Sequence, residues 1–148
     1  MVRKRSRRDP MRKELTRAPE VVSSARVRYA DTDRMGVAYY ANYLVWFEVG
    51  RAEWMRASGS SYRDVEAAGF LLPVIEAHCE YRQPLRYDDE LEIRTRGHLV
   101  TPVRVQFHYE IVRRADLVVA AVGHTTHAST DIEGRPRRLP ASLRSLFT

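Results

Sequence analysis

Residues 40–57 constrain the fold of this chain more than any other stretch. Apolar side chains recur there at the three-to-four-residue spacing of a helix, and polar side chains fill the other positions. The apolar members are Tyr40, Tyr43, Leu44, Trp46, Phe47, Trp54 and Met55, and the polar members are Glu48, Arg51, Glu53 and Arg56. The first half of the stretch is apolar almost all round, which predicts a helix of about five turns enclosed by a sheet.

Segments with strand-like composition lie on both sides of this helix. They span residues 21–30 before it and residues 72–81, 90–99, 103–112 and 117–130 after it. The last two connections are short enough for hairpins, so the sheet should be largely antiparallel. A short capped helix is predicted after Ser61, and a final turn of helix at residues 143–147. The pattern predicts an α+β fold in which one long central helix is wrapped by a curved, largely antiparallel sheet of about five strands.

The chain is long enough for one domain with its own core. It has 148 residues, of which 44% are hydrophobic, and a chain of this length buries roughly two thirds of the surface that its unfolded form exposes. The longest apolar run, residues 117–122, is much shorter than the roughly 20 residues that a membrane-spanning helix needs. The single cysteine, Cys79, cannot form an internal disulfide, and the arginine-rich start has no apolar signal region. These features predict a cytoplasmic protein without membrane insertion.

The formal net charge of +6 is concentrated at one end of the chain. Residues 1–20 hold eight basic and three acidic side chains, a net charge of +5, whereas the other 128 residues together carry +1. The first segment has almost no apolar side chains with which to join a core, and Pro19 marks its end. We expect a flexible basic tail over residues 1–20 and a single folded domain over residues 21–148. The tail is either a solvated extension or an arm that touches nucleic acid, an anionic membrane surface or acidic ligands.

Two carboxylates, Asp31 and Asp33, stand in the loop that leads into the long helix. The first N–H groups of a helix have no partner within it, and the helix dipole adds partial positive charge there. A negatively charged reaction intermediate would be stabilised at this point, and a nearby carboxylate would stay ionised to act as a nucleophile or general base. The loop and the helix start therefore resemble an acyl-transfer site. The alternative is that both carboxylates only shape the loop and cap the helix.

The residues around this loop resemble a known family signature. The run that starts at Tyr29 reads Tyr-x-Asp-Thr-Asp-x-x-Gly-Val-x-Tyr-x-x-Asn-Tyr and continues into Trp-Phe-Glu at residues 46–48 and Arg-x-Glu-Trp at residues 51–54. It resembles the signature of hotdog-fold acyl-CoA thioesterases of the 4-hydroxybenzoyl-CoA thioesterase class, and most closely their tol-pal system-associated branch. The similarity extends over about residues 24–147. The layout predicted from periodicity agrees with the hotdog fold of that family.

The resemblance implies roles for particular residues. Asp33 corresponds to the family's catalytic aspartate, which attacks the thioester carbonyl or activates water. Gly36 corresponds to the glycine before the helix, and the backbone N–H of Tyr40 to the oxyanion donor. The tol-pal branch usually has histidine where this chain has Tyr40, which leaves open the role of that side chain and the preferred acyl group. The residues expected on the substrate side are Tyr39, Asn42, Glu48, Arg82, Arg86 and Arg138.

Some of these substrate-side residues have a specific expected contact. The arginines, together with Arg137, are candidates for the phosphates of CoA. Structural roles are the alternative for Asn42 and Glu48, with Glu48 forming an ion pair with Arg51 three residues further along the helix.

No metal site or cofactor is predicted, coenzyme A being part of the substrate. His124 and His127 are the one histidine pair whose spacing suggests zinc. Residues three apart in a strand point to opposite faces, and no cysteine or carboxylate stands at ligand spacing nearby. The other histidines are interpreted as packing or surface residues.

These observations together predict an acyl-CoA thioesterase, a hydrolase that releases a free acid and CoA. The resemblance implies a homodimer or a tetramer, because the family's sites form between subunits, and nucleic acid is not an expected partner. Two alternatives stay open. A hotdog dehydratase or hydratase would need a histidine in the pocket, and a non-catalytic binding module would use the basic tail. The acyl class, whether short, long or aromatic, also stays open at this point.

Overall fold

A computed structural model of the protein describes residues 19–148 as a five-stranded sheet with one long and two short helices. The strands are β1 (Glu20–Arg26), β2 (Val74–Tyr81), β3 (Glu90–Thr101), β4 (Arg104–Arg113) and β5 (Val118–Ala128). The helices are α1 (Asn42–Ala57), α2 (Tyr62–Ala67) and α3 (Ala141–Arg144), and 3-10 turns occupy Tyr29–Asp31 and Ser145–Phe147. The predicted tail lies outside the described residues except for Pro19 and Glu20, and Glu20 is the first residue of β1.

The five strands form one sheet in the order β1-β3-β4-β5-β2, and every neighbouring pair is antiparallel. The two predicted hairpins are present as β3–β4 and β4–β5. The edge strands are β1 and β2, which flank α1 and α2 in the sequence. The predicted antiparallel sheet of about five strands in an α+β fold is therefore confirmed.

The long helix packs one face against the inner side of the sheet. The Phe47 ring stacks on Tyr109 with centroids 4.3 Å apart, and Trp54 meets the edge of Phe107 at 5.4 Å. Alternation along β3 and β4 turns the apolar side chains of these strands toward α1. Gly50 lets the helix approach β3, because a Cβ there would lie 2.4 Å from Thr95 Oγ1. Burying each of these large side chains contributes roughly 1.5–3 kcal/mol to folding.

The outer side of α1 departs from the sequence prediction. Leu44 and Val45 are 41% and 53% exposed, so the helix is covered on one side and not enclosed all round. These two side chains, which make the first half of α1 look apolar all round in the sequence, lie on an open surface of the protomer.

Among residues 19–148, no helix is long and apolar enough to cross a bilayer.

Four histidines form a row on the outer face of the sheet. The ring centroids are 5.3 Å apart for His98 and His108, 5.6 Å for His108 and His124, and 5.2 Å for His124 and His78. Burial, and then the charges of His98 and His124, lower the pKa of His108 to about 4. A cavity of about 580 Å³ on this face includes three of these histidines in its lining. His127 points to the opposite, inner face, as the spacing of His124 and His127 predicts.

A chain of hydrogen bonds crosses the core beneath α1. The Tyr109 hydroxyl and Thr125 Oγ1 are hydrogen-bonded over 2.6 Å, and Thr125 Oγ1 and Nε2 of His127 over 2.8 Å. Nδ1 of His127 donates to the carbonyl oxygen of Leu72 over 2.8 Å. Because a carbonyl oxygen can only accept, Nδ1 of His127 carries a hydrogen. When the ring is neutral, Nε2 accepts from the Thr125 hydroxyl, which in turn accepts from Tyr109. Burial and the charge of Arg51 lower the pKa of His127 to about 4, although the hydrogen bond to Leu72 acts to raise it.

The free energy of unfolding should therefore fall on acidification. The unfolded histidine takes up a proton near pH 6.5, whereas His127 in the folded protein stays neutral until about pH 4. Protons consequently favour the unfolded chain as the pH falls from about 6.5 to 4, by about 2 kcal/mol between pH 7 and pH 5 for this one side chain. Urea denaturation of the wild type and of His127→Gln at several pH values measures the difference. His78→Gln, at an exposed position, is the control, and equal pH slopes for wild type and His127→Gln would contradict the prediction.

Candidate active site

Asp31 holds the loop before α1 in shape. Its buried carboxylate accepts the backbone N–H of Arg28 over 2.8 Å and pairs with the Arg28 guanidinium over 2.9 Å. Burial alone would raise the pKa of Asp31, but the hydrogen bonds and charge of Arg28 outweigh it and hold the pKa below its usual range. The Asp31 carbonyl accepts the Tyr39 N–H and the Asn42 Nδ2–H, each over 2.8 Å. This carboxylate therefore shapes the loop, and Asn42 takes a structural role in the same unit.

Asp33 lies in the turn of this loop with its side chain half-buried. Its N–H donates to the Val37 carbonyl over 2.9 Å, and its carbonyl accepts the Gly36 N–H over 3.0 Å. Gly36 has φ +75°, a left-handed conformation that glycine adopts without strain. Oδ1 of Asp33 accepts the Met35 N–H over 2.8 Å, whereas Oδ2 has no hydrogen-bond partner within residues 19–148. One carboxylate oxygen is thus fixed, and the other is available to a reactant.

The long helix starts with a tight turn that leaves two backbone donors. Asn42, Tyr43 and Leu44 donate to the carbonyls three residues before them, over 3.0, 3.4 and 3.2 Å. The N–H groups of Tyr40 and Ala41, just before the first residue of α1, donate to no atom of the described chain. Unpaired N–H groups and the helix dipole make this point attractive to an oxyanion. Tyr40 was predicted from the sequence as the donor, and Ala41 was missed.

Tyrosines surround these donors. The rings of Tyr39 and Tyr40 lie 4.6 Å apart, and Tyr43 meets Tyr81 of β2 edge-on at 4.8 Å. The Tyr81 hydroxyl donates to the Tyr40 carbonyl over 2.8 Å. The hydrogen bond and charge of the Tyr40 hydroxyl raise the pKa of Tyr39, and burial and the charge of Asp33 add to this. The Tyr39 N–H also bonds to the Asp31 carbonyl, so the loop of Asp33 and the free donors form one connected unit.

The ion pair predicted between Glu48 and Arg51 is absent from the described residues. Glu48 is exposed on α1, two turns from its start. Arg51 lies toward the core, where its charge opposes the burial that raises the pKa of Tyr109. The charge of the guanidinium acts on the buried hydroxyls of Tyr62 and Tyr109, so spacing along the helix does not decide its partner.

The four candidate arginines fall into two groups. Arg82 and Arg86 follow β2 in the segment whose Leu85 carbonyl accepts the Ala38 N–H over 2.7 Å, which brings this segment to the loop of Asp33. Arg137 and Arg138 lie near the other end of β2, where the Arg137 guanidinium donates to the Gly69 carbonyl over 3.2 Å. Within one protomer, Arg82 and Arg86 are therefore the pair that shares an end of the sheet with the helix start.

Comparisons with known proteins agree with this geometry. A model of the thioesterase-like superfamily matches residues 27–147. The relative YneP of Bacillus subtilis is 46% identical over 69 residues, a stretch that covers 47% of this chain and 50% of YneP. The acyl-CoA thioester hydrolase YbgC of Escherichia coli O157:H7 is 30% identical over 122 residues, covering 82% of this chain and 91% of YbgC.

A solved structure extends the comparison to three dimensions. The DHNA-CoA thioesterase from Staphylococcus aureus superposes with a TM-score of 0.77 at 30% identity, covering 81% of this chain and 80% of that chain. The predicted hotdog fold and the predicted enzyme class, a thioester hydrolase, are confirmed by these relatives. By its sequence over residues 27–147, and by the sheet and long helix that carry the site, the chain belongs to the thioesterase-like superfamily.

Proposed function

We propose that this protein hydrolyses the thioester of an acyl-CoA to a free acid and CoA, with Asp33 as the reacting carboxylate. One observation carries the proposal: a carboxylate with a free oxygen lies in a loop that the Tyr39 N–H and the Asp31 carbonyl join to a helix start, where the Tyr40 and Ala41 N–H groups have no partner within residues 19–148. Acyl-CoA thioesterase function in YbgC, which covers most of the chain, supports the same reaction class. The assignment to the 4-hydroxybenzoyl-CoA thioesterase class and its tol-pal branch stays a proposal that rests on the motif beginning at Tyr29.

The chemistry follows from these groups. The thioester oxygen accepts hydrogen bonds from the Tyr40 and Ala41 N–H groups, which stabilise the negative charge that develops when the carbonyl is attacked. Oδ2 of Asp33 either attacks the carbonyl carbon, giving an acyl-enzyme anhydride that water then cleaves, or takes a proton from the attacking water. In both routes water supplies the oxygen of the new acid, the C–S bond breaks, and the sulfur leaves with a proton as CoA. Gly36 supports the turn that presents Asp33.

Substrate contacts are assigned by place in the fold. Arg82 and Arg86, exposed beside the helix start, suit the phosphates of CoA, because guanidinium groups bind phosphate oxygens in pairs. Tyr39, whose ring lies 4.6 Å from that of Tyr40, is proposed to contact the acyl group. Glu48, exposed further along α1, suits a site that a second subunit completes. The proposed reaction uses groups of the chain itself, and the absence of a cofactor stays a prediction, as does a cytoplasmic location.

A homodimer through β2 would complete this site. β2 is an edge strand whose backbone groups are open to pairing, and Val74 and Ile75 on it are largely exposed. The exposed Leu44 and Val45 lie on the same side of α1 that the sheet leaves uncovered. Antiparallel pairing of two β2 edges about a two-fold axis would bring the end of the sheet that holds Arg138 in one protomer to the helix start of the other. Further pairing of dimers into a tetramer is compatible with this arrangement.

Thiol release from a panel of acyl-CoAs tests the proposed function. The panel holds short aliphatic, long aliphatic and aromatic acyl groups, each also offered on N-acetylcysteamine, a thiol that lacks the nucleotide of CoA. We expect kcat/KM of at least about 10⁴ M⁻¹ s⁻¹ for one acyl class on CoA, and a higher KM for its N-acetylcysteamine ester, because the arginines lose the phosphates. Release no faster than the buffer blank for every ester would overturn the proposal.

A further inference from the structure

Tyr81 reaches across from the sheet to the start of the long helix. It is the last residue of β2, and its hydroxyl donates to the Tyr40 carbonyl over 2.8 Å. That carbonyl and the Ala41 N–H belong to the same peptide unit, whose atoms are joined by resonance in one plane. A side chain 41 positions away in the sequence is therefore bonded to the group that carries one of the two free donors.

A hydrogen bond accepted by a peptide carbonyl strengthens the N–H of the same peptide as a donor. Hydrogen bonds in a chain polarise one another, by about 10–30% per bond. The peptide that carries the Tyr40 N–H is polarised in the same way by a bond within the helix start, because the Tyr39 carbonyl accepts the Asn42 N–H over 3.0 Å. For the Ala41 donor, the helix supplies only the longer Tyr43 bond of 3.4 Å, and Tyr81 supplies the shorter one.

The surroundings of Tyr81 keep its hydroxyl in place as a donor. Its ring meets Tyr43 edge-on at 85°, and its backbone pairs with Ala121 of β5. Burial, and then the neighbouring Cys79 thiol, raise the pKa of Tyr81 above its usual range, so the hydroxyl stays protonated at neutral pH. Although Tyr81 is 49% exposed, the edge-on contact with Tyr43 and the bond to the Tyr40 carbonyl fix the orientation of its ring, and the hydroxyl keeps the proton that the bond needs.

We propose that Tyr81 is a positioning residue for hydrolysis: its hydroxyl fixes the Tyr40–Ala41 peptide and strengthens the Ala41 N–H as a donor to the thioester oxyanion. This inference rests on the proposed function and adds to it a residue outside the loop and helix that the motif covers. The bond acts through the backbone, so Tyr81 is not required to touch the substrate. Its effect should appear in the transition state, where the oxygen carries charge, more than in substrate binding.

Tyr81→Phe tests this role with a minimal change. The phenyl ring keeps the packing against Tyr43, and only the hydroxyl is lost. We expect kcat for the best acyl-CoA to fall about 5- to 20-fold with KM changed less than twofold, as for an interaction made mainly in the transition state. Tyr87→Phe is the matched control: it removes a hydroxyl that bonds to no residue within 19–148 and keeps the ring against Tyr29, so both constants should be unchanged.

A second readout is independent of turnover. The amide ¹H–¹⁵N signal of Ala41 reports on hydrogen bonding at the preceding carbonyl, so it should move in Tyr81→Phe and stay in place in Tyr87→Phe, with the remaining spectrum showing that both variants are folded. An unmoved Ala41 signal, a kcat within twofold of wild type, or a change confined to KM would overturn the inference while wild-type hydrolysis upholds the proposed function. A wild type that cleaves no acyl-CoA would overturn both.

Discussion

Asp33→Asn is expected to lower kcat by roughly 100-fold or more with KM close to that of the wild type. Asparagine has nearly the size of aspartate, and its side-chain oxygen can still accept the Met35 N–H that now holds Oδ1. The turn therefore survives, but the free oxygen loses its negative charge and can neither attack the carbonyl carbon nor take a proton from water. Thiol release from the preferred acyl-CoA, measured at saturating substrate, gives the ratio directly.

A second carboxylate provides the control for this variant. Asp64 accepts the Ser61 N–H over 3.0 Å at the start of α2, and Asp64→Asn removes a charge of the same kind while its side-chain oxygen can still accept this bond. We expect its kcat to match the wild type. A circular dichroism spectrum and a melting curve establish that both variants are folded. If Asp33→Asn kept more than about a third of the wild-type kcat, Asp33 would have no part in the bond-breaking step.

Gly123→Ala is expected to destabilise the fold more than any conservative surface change. A Cβ at this position of β5 would lie 2.3 Å from the His78 carbonyl oxygen and 2.6 Å from the Phe47 ring. The carbonyl belongs to the paired backbone of β2 and cannot turn aside, so the strands and the helix must separate. Overpacking of this kind costs about 3 kcal/mol, at the upper end of its usual range, which lowers Tm by about 10 °C in a domain of this size.

Gly134→Ala separates crowding from backbone strain in this test. Gly134 has φ +87°, and an added Cβ would meet nothing within 4 Å. Its substitution should cost only the penalty of the left-handed conformation, roughly 1–2 kcal/mol. Urea denaturation of the two variants measures both losses in the same units. Equal losses would mean that the space around Gly123 is not the limiting factor.

Local patterns predict most of the fold. The helical spacing over residues 40–57 corresponds to α1, and the alternating segments correspond to the strands within a few residues. The capping box of Ser61 and Asp64 is present, with each side chain bonded to the backbone N–H of the other residue. These signals depend on residues near one another in the chain, which is why a single sequence contains them.

Two predictions about the fold are wrong, for different reasons. One depends on a side-chain bond, and the other depends on contacts between distant parts of the chain. The first strand ends at Arg26 and not at Ala30, because Arg28 and Asp31 bond to each other and wind the next residues into a 3-10 turn. Alternation identifies strands but does not say which of them lie at an edge, so the open side of α1 could not be inferred. Exposed apolar residues on a helix look the same in a sequence as buried ones.

The candidate site also has a part that the sequence predicts and a part that it does not. Asp33, Gly36 and the Tyr40 N–H follow from the motif, which is contiguous in the sequence. The contact of Tyr81 with the Tyr40 carbonyl joins residues 41 positions apart, and the position of the Ala41 N–H depends on where the helix actually begins. No spacing rule relates a residue at the end of a strand to a helix start. Such contacts emerge only when the sheet order is known.

Trp54 links the two ends of the described chain. Its indole N–H donates to the Pro19 carbonyl over 3.2 Å, and its ring stacks on Phe147 with centroids 5.0 Å apart. Indole emission responds to the polarity and contacts of the ring, and the chain has only one other tryptophan, Trp46. In a Trp46→Phe background, Trp54 fluorescence therefore becomes an optical sensor for the release of either terminus from the body of the protein, and fraying of the ends can be followed separately from loss of the whole fold.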